Sequence, residues 1–284
     1  MICQSGVFRR SNLVAEDFGF KKFAENSFYR KQNARLVDMA EVSSGQRIID
    51  LACGNGSVTR LILDRLRGAC NSAVIGIDHS SEMLKIAVEE LKDRKDAAVQ
   101  FVQSQVEHIS ESVKDSVDTV IFCNAIHYVP NKEELLSEIC KTLKPGGKLA
   151  FNTSFFDGAH PSETMIFARK WMLKSLRILR TEHGLSPNRG SKVQSRKQLK
   201  AEEYRDLVEQ NGFRIEKEEI ETVSVPLDGW RDISGFSDFI EGVMPGVPMD
   251  RASSALQTGC ELTFDELNVD VMPRNWLRIL AVKI

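Results

Sequence analysis

Little in this chain of 284 residues is extreme, and what it lacks already narrows its function. Neither charge is in excess: 38 Lys and Arg stand against 40 Asp and Glu, a formal net charge of -2. No bulk field therefore draws it to nucleic acid or to an acidic membrane. There is no Cys-x-x-Cys pair. The six cysteines, Cys3, Cys53, Cys70, Cys123, Cys140 and Cys260, are scattered, which speaks for neither a metal site nor a redox motif. Several lie in apolar runs such as Ile121-Phe122-Cys123, where reduced, buried thiols are expected. No apolar run approaches the roughly 20 residues of a spanning helix, and residues 1–10 show no apolar signal core. Internal repeats and low-complexity tracts are missing too. These absences set the expectation of a soluble, cytoplasmic protein with no metal, no nucleic-acid partner and no membrane insertion. The apolar fraction of 42% suffices for one large domain or a domain with an inserted part.

What is present is an alternation. Short apolar runs at 47–51, 73–77, 99–103, 117–123 and 148–153 read as buried strands, and the segments at 58–66, 81–92 and 132–143 have helical spacing. Ser80 or Ser81 is a candidate N-cap ahead of Met83, Leu84 and Ile86. Lys144-Pro145-Gly146-Gly147 predicts a turn before the fifth strand. Strand and helix in alternation imply βαβ units and a parallel sheet covered on both faces. After Ser154 the pattern changes. A helix is expected over 163–180, with Ile166, Leu173, Leu176 and Leu179 on its apolar face. A basic loop follows over 181–200, then a helix over 202–210 ended by Asn211-Gly212, and a strand over 213–223. Residues 226–259 are rich in Gly and Pro and read as irregular, and 276–282 reads as a last strand.

The sharpest local feature is Ile48-Ile49-Asp50-Leu51-Ala52-Cys53-Gly54-Asn55-Gly56, an apolar strand running into a Gly-x-Gly turn and then a helix. Such turns at strand carboxyl ends are where open parallel sheets bind ligands. The dinucleotide fingerprint requires a third glycine, but Thr59 stands at that position. An acid, Asp50, lies just before the turn; a pyrophosphate would be repelled by it, whereas a cationic ligand would be attracted. Asp78 ends the second strand, where a carboxylate can accept from ribose hydroxyls.

Residues 50–56 resemble motif I of the class I S-adenosylmethionine (SAM)-dependent methyltransferases. Gly76-Ile77-Asp78-His79-Ser80-Ser81-Glu82-Met83-Leu84 resembles their motif II, 101–109 their adenine-contacting segment, 117–129 motif IV, and 143–149 the turn before the fifth strand. Five elements in order over 45–153 make the resemblance specific. It implies an α/β, Rossmann-like seven-stranded sheet of order 3-2-1-4-5-7-6, strand 7 antiparallel, with helical lid insertions. It also implies one methyltransferase domain over 1–284, made of an N-terminal helical segment (1–44), a cofactor-binding core (45–154) and substrate-side insertions (155–200 and 224–272). SAM is the implied cofactor and S-adenosylhomocysteine its product. Asp50, with Ala52, Cys53, Gly54 and Gly56, is expected to hold the methionine end and Asp78 the ribose. His79 and Met83 are expected to flank the adenine and Val106 to donate its N–H to the ring. Gln105 stands where the family usually has Asp; its carbonyl can still accept from the adenine amino group. Asn124 is expected near the methyl group.

His127, just after the fourth strand, has two readings: a general base, since histidine titrates near neutrality, or a packing residue. The 163–180 helix reads either as a lid or as scaffold. The basic set Arg169, Lys170, Lys174, Arg177, Arg180, Arg189, Lys192, Arg196, Lys197 and Lys200 reads either as an anion-binding surface or as a solvated face. Phe155, Phe156, Ile166, Trp171, Met172, Trp230, Phe236, Phe239 and Met244 are candidates to line an apolar cavity, which suggests a small lipophilic acceptor. There is no Asn-Pro-Pro-Tyr motif after the fourth strand and no basic balance to suggest DNA or RNA. A homodimer stays open. So do two other activities, a SAM-binding enzyme catalysing a non-methylating reaction such as cyclisation, and an NAD-dependent oxidoreductase.

Overall fold

A computed structural model describes residues 26–68, 71–95, 97–188 and 198–284. Cys3, Cys70, the basic residues Arg189, Lys192, Arg196 and Lys197, and residues 1–25 of the expected N-terminal segment lie outside the described residues. The chain divides into two compact units, one comprising 29–159, 198–223 and 274–284, the other 160–197 and 224–273 together with residues up to 28.

The first unit carries the sheet. In chain order it contains α1 (Ser27–Ala40), β1 (Arg47–Leu51), α2 (Ser57–Arg65), β2 (Ala73–Asp78), α3 (Ser81–Leu91), β3 (Ala98–Gln103), α4 (Ile109–Ser112), β4 (Val117–Cys123), α5 (Lys132–Thr142) and β5 (Leu143–Thr153). The strand order is β3-β2-β1-β4-β5-β7-β6, as the resemblance implied. The neighbours from β3 to β5 are parallel, and β7 (Val271–Lys283) runs antiparallel to β5, with Phe151 opposite Ile279. The outer strand, β6 (Phe213–Pro226), follows α7 (Ala201–Gln210).

Strand alternation sorts the core into two layers. Ile48, Val74, Ile121, Ala150 and Leu280 cluster with Leu36 and Val37 of α1 and with Leu61, Ile62 and Leu63 of α2. Ile49, Ile75, Val120, Phe151 and Ile279 face the other side with Leu135, Ile139, Tyr204 and Val208 of α5 and α7. Helix α1 contributes through Tyr29, Gln32, Asn33, Leu36, Val37 and Ala40, a three-and-four spacing that buries one stripe. Residues 144–147, expected as a turn before β5, fall within its bounds but have no ladder partners on β4, and Gly146 takes a left-handed φ of 74° as a turn requires. The β4–β5 register shifts between Val117 and Thr119 to admit them, and Lys144 pairs with Asp118 at 2.6 Å. The ladder skips the Pro-Gly-Gly sequence and resumes at Lys148 opposite Thr119.

The second unit is helical: α6 (Ser162–His183), α8 (Leu227–Ile233), α9 (Ser237–Val243) and α10 (Met249–Leu267). Two expectations are corrected here. Residues 226–259 are not irregular, because two of their three prolines stand at helix starts, Pro226 before α8 and Pro248 before α10, where a missing N–H does no harm, and Pro245 follows the end of α9. Helix α6 buries Thr164, Phe167, Trp171, Ser175 and Leu179; Ile166 and Leu173, assigned to its apolar face, are exposed. The buried face packs on α10 so closely that a Cβ at Gly259 would lie 2.2 Å from Ser175 Oγ. The Trp171 indole N–H donates to the Leu256 carbonyl at 2.7 Å. Phe167 touches Trp171, Trp230 and Phe264, with ring centroids 5.1–5.6 Å apart.

Candidate functional site

The carboxyl ends of β1, β2, β4 and β5 gather the polar residues that the sequence singled out. Beyond β1 the backbone turns through Ala52, Gly54 and Gly56, all with positive φ (55°, 53° and 79°). Gly56 is required twice over: its φ is left-handed, and a Cβ would meet Leu91 Cδ1 at 3.0 Å and Ala87 Cβ at 3.1 Å. Ala52 adopts the same region with a side chain, a strained geometry of the kind that clusters at functional sites. Three bonds hold the loop: the Cys53 N–H to the Ile77 carbonyl at 3.0 Å, the Gly56 N–H to the Cys53 carbonyl at 2.9 Å, and the Gly54 N–H to Asp78 Oδ2 at 2.8 Å. Asp78 Oδ1 also accepts from the Ser80 N–H at 2.9 Å. Each carboxylate oxygen keeps a further lone pair.

Asp50 is buried at 1% exposure. Its Oδ2 accepts from the Thr59 hydroxyl at 2.6 Å, and its Oδ1 has no partner. Burial is the main reason that its carboxyl is pushed up to about 7; Asp78 adds to the rise and the Thr59 bonds oppose it. A buried acid with one open oxygen is an incomplete site, and an arriving ammonium or sulfonium would complete it. Thr59 therefore does more than break the dinucleotide fingerprint, since it fixes the acid. The sequence signal was available, a hydroxyl three residues after Gly56 on the first turn of α2, one helical turn from the loop.

Asn124, left-handed at φ 50°, donates its N–H to Asn152 Oδ1 at 2.8 Å and its amide Nδ2 to Asn33 Oδ1 at 3.2 Å. Asn124 Oδ1 and Asn152 Nδ2 are buried without partners. His79 is exposed and Met83 half-buried, flanking the start of α3. Gln105 is exposed, and Val106 begins a single 3-10 turn, where an N–H has no partner within the helix.

His127 is 4% exposed. Its Nδ1 lies 3.0 Å from Thr153 Oγ1, its Nε2 has no partner, and its ring stacks on Phe155 at 4.5 Å. Burial above all, then the charges of Arg274 and Lys132, holds its pKa well below the usual histidine value. Arg274, which no local pattern in the sequence marked, comes from β7. It donates twice to the Ser154 carbonyl, at 3.0 and 2.6 Å, and its guanidinium carbon sits 4.5 Å over the Phe155 ring. Only the antiparallel return of the chain brings it here.

Of the aromatic residues expected to line a cavity, Trp230 and Phe239 both pack on Trp171, each with ring centroids 5.8 Å away. Trp171, Trp230 and Met244 are buried in the helical unit and Phe156 in the core of the sheet unit. Met172 lines a cleft of about 190 Å³ within the helical unit, with Leu176, Arg180, Pro187 and Val243. Of the basic set, Lys170 and Lys174 both pair with Glu266, as a solvated, ion-paired helix face does.

Residues 42–211, more than half of the chain, match the methyltransferase-domain family. The chain is similar to phosphoethanolamine N-methyltransferase 2 of Caenorhabditis elegans, 28% identical over 213 residues, 73% of this chain and 47% of that protein. It is also similar to trans-aconitate 2-methyltransferase of Azoarcus sp., 32% identical over 137 residues, 48% of this chain and 49% of the other. In fold it is similar to phosphoethanolamine N-methyltransferase 2 of Haemonchus contortus, solved with phosphomonomethylethanolamine and S-adenosylhomocysteine. The TM-score is 0.52 at 20% identity, covering 89% of this chain and 52% of that one. The chain thus spans about half the length of the relatives it matches. Sheet order, the turn beyond β1 and the family match agree, and the chain belongs to the class I SAM-dependent methyltransferases.

Proposed function

We propose that this protein transfers the methyl group of SAM to a small, lipophilic molecule. The observation that carries the reading is Asp50 Oδ1, a buried carboxylate oxygen with no partner among the described residues, at the end of the strand before the Gly54–Gly56 turn. In this proposal Asp50 and the backbone at Ala52, Cys53, Gly54 and Gly56 hold the amino-acid end of SAM. Asp78 accepts from the ribose hydroxyls. His79 and Met83 flank the adenine, the Val106 N–H donates to it and the Gln105 side-chain carbonyl accepts from its amino group. Asn124 lies toward the methyl group and His127 toward the acceptor. When bound, SAM supplies an electrophilic methyl carbon on a positively charged sulfur. The chain's own contribution is positioning, which can be worth about 7–11 kcal/mol. The rings of His127, Tyr128 and Phe155 cluster 4.0–6.5 Å apart, aromatic surface that supports an acceptor with a lipophilic body.

Calorimetry with SAM, S-adenosylhomocysteine and NAD tests the cofactor half: the first two bind and NAD does not. For the acceptor, methyl-labelled SAM is incubated with panels of small lipophilic acids, phenols and amines, and with protein and RNA. Label that enters an organic-extractable product, with equimolar S-adenosylhomocysteine, is the expected result. Label found only in protein or RNA would refute the small-molecule reading.

A further inference from the structure

The hydrogen bonds around His127 fix more than its position. Thr153 is fully buried, and its hydroxyl oxygen already accepts the Phe155 N–H at 3.0 Å. Among the described residues, the one acceptor in reach of the Thr153 proton is His127 Nδ1, at 3.0 Å. Were the imidazole to donate from Nδ1 instead, Thr153 would receive two hydrogen bonds, and both its own buried proton and the bare Nε2 would be left unpaired; with Thr153 as the donor one buried group is left unpaired rather than two, the arrangement that folded proteins favour. Thr153 therefore donates, Nδ1 accepts, and the proton of the neutral ring resides on Nε2. Among the described residues that buried Nε2–H has no acceptor, and a bound molecule can supply one.

We infer that His127 meets the methyl acceptor as a neutral Nε2–H donor, set in that tautomer by Thr153, and that the acceptor atom is an anionic carboxylate oxygen. The inference rests on the methyl-transfer reading and narrows it: an ionised carboxylate has a lone pair ready for transfer and no proton to remove, so no general base is needed. The charged and titratable groups around the ring agree. Arg274 on β7 lies over Phe155, which in turn stacks on His127. Lys132 on α5 is buried with its ammonium on the Val129 carbonyl, and Tyr128 lies 4.0 Å from the imidazole, centroid to centroid. Two cations near the ring disfavour imidazolium and favour an anion beside it. A phenol, or an amine that arrives protonated, would need a base, and a ring whose Nε2 already carries the proton cannot accept another there.

The test uses the full chain, labelled with 15N-histidine and saturated with S-adenosylhomocysteine, with His127→Gln to assign the signal. Two-bond 1H–15N correlations report the tautomer. A protonated Nε2 and bare Nδ1, unchanged from pH 8 to pH 6, are expected. Thr153→Val, which keeps the shape but removes the hydroxyl, should turn this into a mixture. A protonated Nδ1, or titration within that range, overturns the assignment. For the acceptor class, hexanoate and hexanamide serve as probes. Hexanoate should shift the His127 Nε2 resonance and bind at least tenfold more tightly than hexanamide. That preference should survive in His127→Gln, which retains an amide donor, and disappear in His127→Ala. Equal response to both probes, or none, overturns the carboxylate assignment. Failure of S-adenosylhomocysteine to bind would instead count against the methyl-transfer reading and leave the tautomer measurement intact.

Discussion

Asp50 carries a charge that depends on its company. Its carboxyl, moved from 3.8 to about 7 mainly by burial, stays protonated in the ligand-free protein at pH values where the unfolded chain is ionised. Between about pH 4 and pH 7 unfolding therefore releases a proton, and this group's contribution to stability falls as pH rises, by at most ~1.4 kcal/mol per unit. Above about pH 7 both states are ionised and the dependence ends. A cationic ligand beside Oδ1 reverses the preference. Below pH 7 SAM binding should release a proton, and affinity should rise up to about tenfold per pH unit before levelling off. Calorimetry in two buffers of different ionisation heat measures that proton directly. Asp50→Asn should remove the pH dependence and weaken binding at pH 8. Asp78→Ala should weaken SAM binding by about 10–100-fold, since it removes a charged acceptor that also restrains the Gly54 N–H. Unchanged affinity would take Asp78 out of the ribose site.

At the scale of elements, the contact between α6 and α10 is the most sharply specified. Gly259→Ala would set a methyl 2.2 Å from Ser175 Oγ and 2.9 Å from the Ser175 backbone nitrogen. The helices must part, and the expected loss is about 1–3 kcal/mol, read from the denaturant midpoint at constant slope. This contact was not legible in the sequence, although the sheet was. Strands such as Arg47–Leu51 and Val117–Cys123 are mostly apolar and buried at all but one position each, because a parallel strand is covered on both faces. The helical unit yields no such simple signal. Its Gly and Pro residues mark helix boundaries and close approaches, which look like disorder when read by composition, and its buried stripe on α6 mixes Thr164 and Ser175 with Phe167 and Trp171. In the site, Asp50, Gly54 and Asp78 stood out as a local motif. Thr153 did not, because its significance lies in a bond to His127 across 26 residues. Arg274 lies further out of reach still, since only the antiparallel return of β7 delivers it.

For the molecule as a whole, every residue proposed to hold SAM lies between positions 50 and 124, inside the unit that carries the sheet. Ligand binding should therefore stabilise that unit directly. S-adenosylhomocysteine at about 100 times its dissociation constant adds ~2.7 kcal/mol, which corresponds to a rise in Tm of roughly 4–5 °C for a chain of this size. Differential scanning fluorimetry should show that rise with S-adenosylhomocysteine and none with NAD. The crowding behind Gly56 has a consequence for how this protein can diverge. Ala87 and Leu91 act as a template against which the ligand loop is cast, so bulkier residues at either place would deform the loop from the rear. Such variants would present as cofactor-affinity mutants although the altered side chain never meets the cofactor, and a search for binding determinants confined to the cleft would miss them.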